Sequence, residues 1–227
     1  LADIIIALSD ESKEKIMRHY PVTHEKIYVL PLGAHIPEAK PTMPDKLKAY
    51  SGGIENGYFL FFGRIDKYKG IENALKAYRN LKNKDKPFII AGSGEFTENE
   101  RKLIDNTENV IVLNEFVSDG CMMWLFEYAL ALILPYIEAS QSGIIPIAYR
   151  LGKPIIVSGV EGLTQFTENN KTGFICHTVR EYTDAMGKVY DGDLMEEMSA
   201  AARSYYSQHL DWESNISGFI NYLEEKK

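Results

Sequence analysis

Arg64 and Lys69 stand in the run Gly63-Arg64-Ile65-Asp66-Lys67-Tyr68-Lys69-Gly70, where an apolar stretch ends in Gly-Arg and a helical pattern starts after Lys-Gly. A guanidinium forks onto phosphate oxygens, an ammonium adds a point charge, and a glycine lets backbone approach a ligand closely. The run reads as a seat for a phosphorylated ligand; solvated loop cations are the alternative reading. A second run, Pro135-Tyr136-Ile137-Glu138-Ala139-Ser140-Gln141-Ser142-Gly143-Ile144-Ile145-Pro146, also follows an apolar stretch and opens a helix. Free amides from Ser142 through Gly143 and Ile144 to Ile145 would point out of that helix start, where the dipole favours an anion, and Pro146 costs little in a first turn. Ordinary capping by Ser142 is the alternative there. Glu138 would sit at the rim of the same crevice. Gly92-Ser93-Gly94 follows a third apolar stretch, but the last glycine of a dinucleotide fingerprint would fall at Thr97. Those glycines therefore read as a tight turn, and NAD is not implied.

These runs need elements to hold them. Short apolar segments at 4–8, 27–30, 58–62, 87–91, 110–113, 131–134, 154–157 and 173–176 alternate with helical patterns. That alternation is the mark of successive βα units in a parallel sheet, and strands apolar throughout are covered on both faces. Ile71, Ala74, Leu75, Tyr78 and Leu81 share one face at helical spacing, predicting a helix over 70–83. Shorter helices are expected at 122–130 and 145–151, and a helical tail at 180–190, 194–210 and 212–225. The stretch 37–57 holds prolines and a Gly-Gly pair with little periodicity, and reads as a connection. The expected organisation is a βαβ lead-in over 1–36, the connection, one α/β domain over 58–210, and a C-terminal helix over 211–227.

A net charge of −7, from 25 Lys and Arg against 32 Asp and Glu, with no basic stretch, excludes a nucleic-acid partner. A small anionic ligand needs only one or two placed cations and stays compatible. Cys121 and Cys176 and the five histidines His19, His24, His35, His177 and His209 fall at no metal-ligand spacing, so neither metal nor disulfide is expected. A reduced, cytoplasmic setting follows from that cysteine usage. No apolar run reaches the roughly 18–20 residues of a spanning helix. The opening, already strand-like at ADIIIALSD and without Met, reads as a domain cut from a longer chain.

GRIDKYKGIENALKAY resembles the G-R-L-x-x-x-K-G-x-x-x-L-L-x-A-F stretch of family 4 retaining glycosyltransferases. ADIIIALSDESKEKI and KIYVLPLGAHI resemble that family's domain junction, IIAGSGE its A-G-x-G-P turn, and NVIVLNEFVSD its N-V-x-F-x-G-x-V-S turn. VSGVEGLTQFTENNKTGF is similar to its D-V-G-G-L-P-E-I-V-x-x-G-x-T-G-F segment, and Trp212 matches the aromatic that anchors its tail. The ordered series covers nearly the whole chain.

The resemblance implies a Rossmann-like parallel sheet flanked by helices, one half of the two-domain GT-B architecture, binding a UDP-, GDP- or ADP-sugar without metal. It places the donor diphosphate on Arg64 and Lys69, with Gly63, Gly92, Gly94, Ser142, Gly143 and Ile144 about it. It also implies that backbone at Phe116 and Val117 holds the base; a plain strand exit at Asn114 to Val117 is the alternative. Glu138 takes the place of the first Glu of the family's E-x7-E pair, at the transferred sugar or catalytic face. The second Glu, the ribose contact, is missing: Pro146 and Ile147 stand there. Retention at the anomeric carbon and an acceptor bound by an absent N-terminal domain follow from the same likeness. So does peripheral contact with the inner membrane face through that absent half, since many relatives glycosylate lipid-linked acceptors. A non-catalytic nucleotide-sugar-binding domain and a sugar-nucleotide epimerase of similar fold are the competing readings.

Overall fold

Tyr58-Phe59-Leu60-Phe61-Phe62 offers no polar face to water, and a strand of that kind is stable only where side chains cover both sides of it. The computed structural model describes residues 2–50 and 53–226, so Gly52 of the Gly-Gly pair lies outside them. The first half runs β1 (Ile5–Ala7), α1 (Asp10–His19), β2 (Ile27–Val29), β3 (Tyr58–Phe62), α2 (Ile71–Arg79), β4 (Phe88–Ala91), α3 (Glu98–Asp105), β5 (Val110–Leu113) and α4 (Asp119–Tyr128). Then follow β6 (Ala129–Leu134), α5 (Ile144–Arg150), β7 (Ile155–Ser158), α6 (Glu161–Thr164), β8 (Gly173–Cys176), α7 (Val179–Asp191), α8 (Met195–Tyr205) and α9 (Trp212–Glu225).

Six strands form one parallel sheet in the order β5-β4-β3-β6-β7-β8. The two inner strands are the most thoroughly buried, with Phe59, Leu60, Phe61, Leu132, Ile133 and Leu134 at zero exposure. Helix α2 lays Ile71, Ala74, Leu75, Ala77 and Tyr78 onto this layer and stops at Arg79, before the expected end at 83. The Tyr78 hydroxyl explains the early stop: it donates to the Lys86 carbonyl at 3.1 Å, drawing the chain after Leu81 back toward β4. At the other boundary, the helix expected over 122–130 starts earlier, under a Ser118 cap, and ends at Tyr128. Ala129 already pairs with Tyr58, and the register shift between Tyr58 and Phe59 leaves Leu130 as the extra residue of a bulge. Helix α3 is an element not anticipated above, although Thr97 and Glu100 form a reciprocal capping box worth about 1 kcal/mol.

Outside the main sheet, β1 and β2 pair in parallel. Helix α9 returns to them: Tyr28 meets Phe219 and Tyr222 at centroid distances of 5.0 and 4.8 Å, and Trp212 lies against Gly33. Trp212 thus anchors the final helix to the opening segment. The connection over 37–57 carries two short turns of 3-10 helix and sends Leu47 and Ile54 into the core. Among the described residues, no helix is long and apolar enough to cross a membrane.

Gly92 is one of two equally tight backbone crossings near the carboxyl end of the sheet: at φ +143°, a Cβ there would sit 1.9 Å from the Gly63 carbonyl oxygen. Gly92→Ala is expected to cost on the order of 1–3 kcal/mol, lowering the melting midpoint by several degrees. Gly143→Ala, at φ −64° with nothing within 4 Å, should leave the midpoint unchanged. Equal melting of both variants in a thermal denaturation would contradict the assignment.

Candidate functional site

β3 and β6 are neighbours in the sheet, but the chain leaves them in opposite directions, toward β4 and β5 on one side and β7 and β8 on the other. A crevice opens at such a switch point beyond the carboxyl ends of the strands, and ligands of open α/β sheets bind there. The two loops that leave these strands are 63–70 and 135–143, the same two runs whose residue types pointed to an anion.

Local rules explain how the first loop is held. The Gly63 amide donates to the Ala91 carbonyl and the Ile65 amide to the Ser93 carbonyl, both at 3.0 Å. Gly94, at φ +151°, lies so close beneath Ile65 that a Cβ would be 1.9 Å from its carbonyl oxygen. The Asn114 side chain clamps Gly94 from the other side, accepting from its amide at 3.1 Å and donating to its carbonyl at 3.0 Å. A short 3-10 turn over Lys67–Lys69 then ends at Gly70, whose left-handed conformation leaves 2.1 Å between a built Cβ and the Pro135 carbonyl oxygen. Beside that contact the Ile137 amide donates to the Tyr68 carbonyl at 2.8 Å. The two loops are therefore joined by backbone.

Two cations meet at this junction. Arg64 is exposed and makes no ion pair or hydrogen bond among the described residues. Lys69 is half-buried, with Nζ 3.6 Å from the centre of the Tyr136 ring and 4.9 Å from that of Tyr68. An ammonium over an aromatic face gains about 0.5–2 kcal/mol, but a ring is a weaker counter-charge than a carboxylate. Burial pushes the Lys69 ammonium down to about 8 and Arg64 adds to the fall, against a smaller opposing pull from Asp66. Burial pushes the Tyr136 phenol up to about 12, so its hydroxyl stays protonated, and it shares a hydrogen bond of 3.3 Å with Ser142 Oγ.

Ser142, buried against Tyr136, does more than the alternatives allowed for. Its Oγ accepts from the Ile144 amide and its carbonyl from the Ile145 amide, both at 3.3 Å. The expected row of free amides from Ser142 to Ile145 is thus corrected to two: Ser142 and Gly143 have no partner for their N–H among the described residues, whereas Ile144 and Ile145 do. Self-capping is the cause. Glu138 is exposed on the loop after β6, as anticipated. Phe116 is 88% exposed after β5, and Val117 is half-buried beside it. Neither lines the cleft of about 600 Å³ formed by Arg64, Ile65, Lys67, Ser93, Gly94 and Phe96 with the carboxylates Asp66 and Glu95, nor the adjoining cleft of about 540 Å³ that includes Gly70, Asn73 and Ile137 with Glu72, Glu98 and Glu100; Lys69, Glu138, Ser142, Gly143 and Ile144 line neither of them. Both volumes suit a small ligand. A hollow of about 700 Å³ between α2 and α7 lies at the opposite end of the sheet, away from these residues.

Two contributors escaped the sequence reading. Tyr136 is a core aromatic by composition, and only its position under Lys69 gives it a second role. Gly162 sits 2.2 Å, by a built Cβ, from the Ala139 carbonyl oxygen, so it supports the second loop from α6. Lys171 to Phe174 turns into β8, with Thr172 fully buried and bonded to the Tyr149 hydroxyl at 2.7 Å, which is a structural role. Among the described residues no group of His, Cys, Asp and Glu gathers as metal ligands.

A lysine held below its ordinary value of 10.5 is less stable charged in the folded chain than in the unfolded one. The unfolded chain therefore binds more protons between about pH 8 and 10.5, and stability attributable to Lys69 rises with pH across that window. Lys69→Met is expected to melt higher than the parent at pH 7, with the advantage shrinking toward pH 10. A constant difference between the two from pH 7 to 10 would refute the buried-ammonium assignment.

The sequence pattern of the family described as "Glycosyl transferases group 1" matches residues 51–205. A D-inositol 3-phosphate glycosyltransferase of Pseudarthrobacter chlorophenolicus is 24% identical, over 92% of this chain and 52% of that protein. An uncharacterized glycosyltransferase of Methanocaldococcus jannaschii is also 24% identical, over 98% of this chain and 58% of its own length. The chain thus spans about half the length of the curated relatives it matches. Among solved structures, Alr3699/HepE of Anabaena in complex with UDP superposes with a TM-score of 0.82 at 19% identity, over 99% of this chain and 64% of that one. The fold is that of GT-B enzymes. The match extends over well more than half of the 227 residues and includes both loops of the crevice, so the chain belongs to the group 1 glycosyl transferase family.

Proposed function

We propose that this chain is the donor half of a retaining glycosyltransferase, which moves a sugar from a nucleoside diphosphate sugar to a glycan or lipid-linked glycan acceptor. The acceptor would be held by a domain outside this sequence, with the cleft between the two closing over both substrates. One observation carries the reading: two cations that form no salt bridge among the described residues stand together on the loop at the switch point of a parallel sheet, and the facing loop carries two amides without a partner among those residues.

Departure of a nucleoside diphosphate builds negative charge on the phosphate oxygen that leaves the anomeric carbon. Donors fixed in advance around that oxygen stabilise the transition state more than the ground state. In this reading Arg64 forks onto the diphosphate, Lys69 supplies a partly desolvated charge, and the Ser142 and Gly143 amides complete the cradle. The account calls for no metal. Gly63, Gly92 and Gly94 keep the floor low enough for backbone to approach the ligand; the base contact at Phe116 and Val117 rests on the family resemblance alone, since neither lines either cleft. Glu138 faces the transferred sugar. Solved structures of Alr3699/HepE with UDP and with UDP-glucose support a uridine nucleotide as the first donor to try.

A second reading, a donor-binding domain without turnover, is favoured by Pro146. It is buried on α5 at the place, eight residues after Glu138, where the resembling family carries its ribose-binding Glu, and the next residue, Ile147, is apolar too, so no carboxylate takes that place.

Thermal shift with UDP, GDP and ADP tests the binding claim. A ligand at 100 times its dissociation constant adds about 2.7 kcal/mol of apparent stability. One of the three should shift the chain, and Arg64→Ala should weaken it by roughly tenfold or more, as expected for a lost charged hydrogen bond of about 1.5–3 kcal/mol. No shift with any of them, or an unchanged Arg64→Ala, would count against the site. Transfer to acceptor, measured with the chain and its acceptor domain together, separates the two readings. The enzyme reading expects Glu138→Ala to abolish most transfer with donor binding retained, and the binding-only reading expects no transfer to lose.

A further inference from the structure

We propose that Tyr136 is a positioning residue for the donor diphosphate: its ring holds the Lys69 ammonium and its hydroxyl holds Ser142, so lysine and free amides address one ligand. The inference rests on the donor-site reading above and goes beyond it by naming the residue that couples the two loops.

The geometry gives Tyr136 two faces of work. It is 2% exposed although it stands in the loop itself, two residues beyond the end of β6. The Lys69 ammonium rests 3.6 Å from the ring centre, nearer than to any other aromatic described for it, and forms no salt bridge among the described residues. The charged groups that bear on Lys69 are Asp66, which favours its charge, and Arg64, which disfavours it. A carboxylate in place of the ring would neutralise the lysine and compete with an incoming phosphate. A neutral aromatic face orients the ammonium and leaves its charge available to the ligand. At the other end of the same side chain, the hydroxyl lies 3.3 Å from Ser142 Oγ. Ser142, itself buried, in turn occupies the Ile144 and Ile145 amides, which leaves the Ser142 and Gly143 amides without a partner among the described residues. A leucine would fill similar core space but make neither polar contact.

A double-mutant cycle in this chain tests the proposal, with binding read by titration of UDP, GDP and ADP and the tightest of them used throughout. Tyr136→Leu should weaken binding by about tenfold in the parent and by only about twofold in Lys69→Met, because most of its effect passes through the lysine. Tyr136→Phe, which keeps the ring, should restore binding to within about two- to threefold of the parent, and that remaining loss should vanish in Ser142→Ala. The pH profile adds a readout that plain packing would not move. Binding to the parent should weaken as pH rises through about 8, and the midpoint should move upward in Tyr136→Leu as the ammonium becomes better solvated. If Tyr136→Leu fails to fold, the Phe and Ser142→Ala cycle decides alone. Equal losses from Tyr136→Leu in both backgrounds, or a Phe variant whose loss is undiminished in Ser142→Ala, would overturn the proposal. A parent that binds none of the three nucleotides would bring down the donor-site reading and this inference together, whereas normal binding by every Tyr136 variant would overturn this inference alone.

Discussion

Gly70 ends a 3-10 turn in the left-handed conformation, and any side-chain carbon there would run into the carbonyl of Pro135. That contact, with the hydrogen bond from the Ile137 amide to the Tyr68 carbonyl beside it, holds the loop after β3 against the loop after β6. The loops belong to opposite halves of the sheet, and their elements diverge everywhere else. Without the close backbone approach, Arg64 and Lys69 would lie on one flexible loop and the Ser142 and Gly143 amides on another. The crevice exists because β3 and β6 are adjacent, and the contact between the loops brings the residues of the proposed site together.

This arrangement works against stability in the empty protein. Lys69 is withdrawn from water over an uncharged ring, and its pKa falls because that burial outweighs the opposing pull of Asp66, with Arg64 adding a smaller push downward. The surrounding fold tolerates that cost because the sheet beneath is thoroughly apolar, with Phe61, Ile90, Leu134 and Val157 at zero exposure on four consecutive strands. A rigid floor lets an unfavourable charge be kept in place, and an arriving anion would then recover what the empty site gives up. The negative total charge of the chain is no obstacle, since the field that matters to a bound phosphate is set within a few ångströms.

Much of this was readable from residue patterns. All eight strands lie where apolar runs between turn residues placed them, because strands buried on both faces leave little room for ambiguity. The cations at 64 and 69 and the loop over 135–146 were marked by type and spacing. What the pattern concealed was relational. Tyr136 reads as another core aromatic until the fold sets it beneath Lys69, and the order β5-β4-β3-β6-β7-β8, which makes the crevice, follows from tertiary pairing. Helix ends moved for equally specific causes: Tyr78 turned the chain after α2, and the Leu130 bulge drew Ala129 into β6. The capping box at Thr97 and Glu100 was visible in the sequence, but α3 is short and mostly polar, so its periodic signal is weak. The free-amide expectation failed at Ile144 because a serine two residues earlier can satisfy its own helix.

The departure at Pro146 separates this chain from the pattern it resembles, since no carboxylate stands eight residues after Glu138, so the proposed donor recognition rests on the diphosphate. A crystal structure of the chain soaked with UDP tests that account most directly. The account requires the diphosphate to lie between the Arg64 guanidinium, the Lys69 ammonium and the Ser142 and Gly143 amides, above the Tyr136 ring. A nucleotide bound with its phosphates away from that junction, or ordered only in the hollow between α2 and α7, would contradict it.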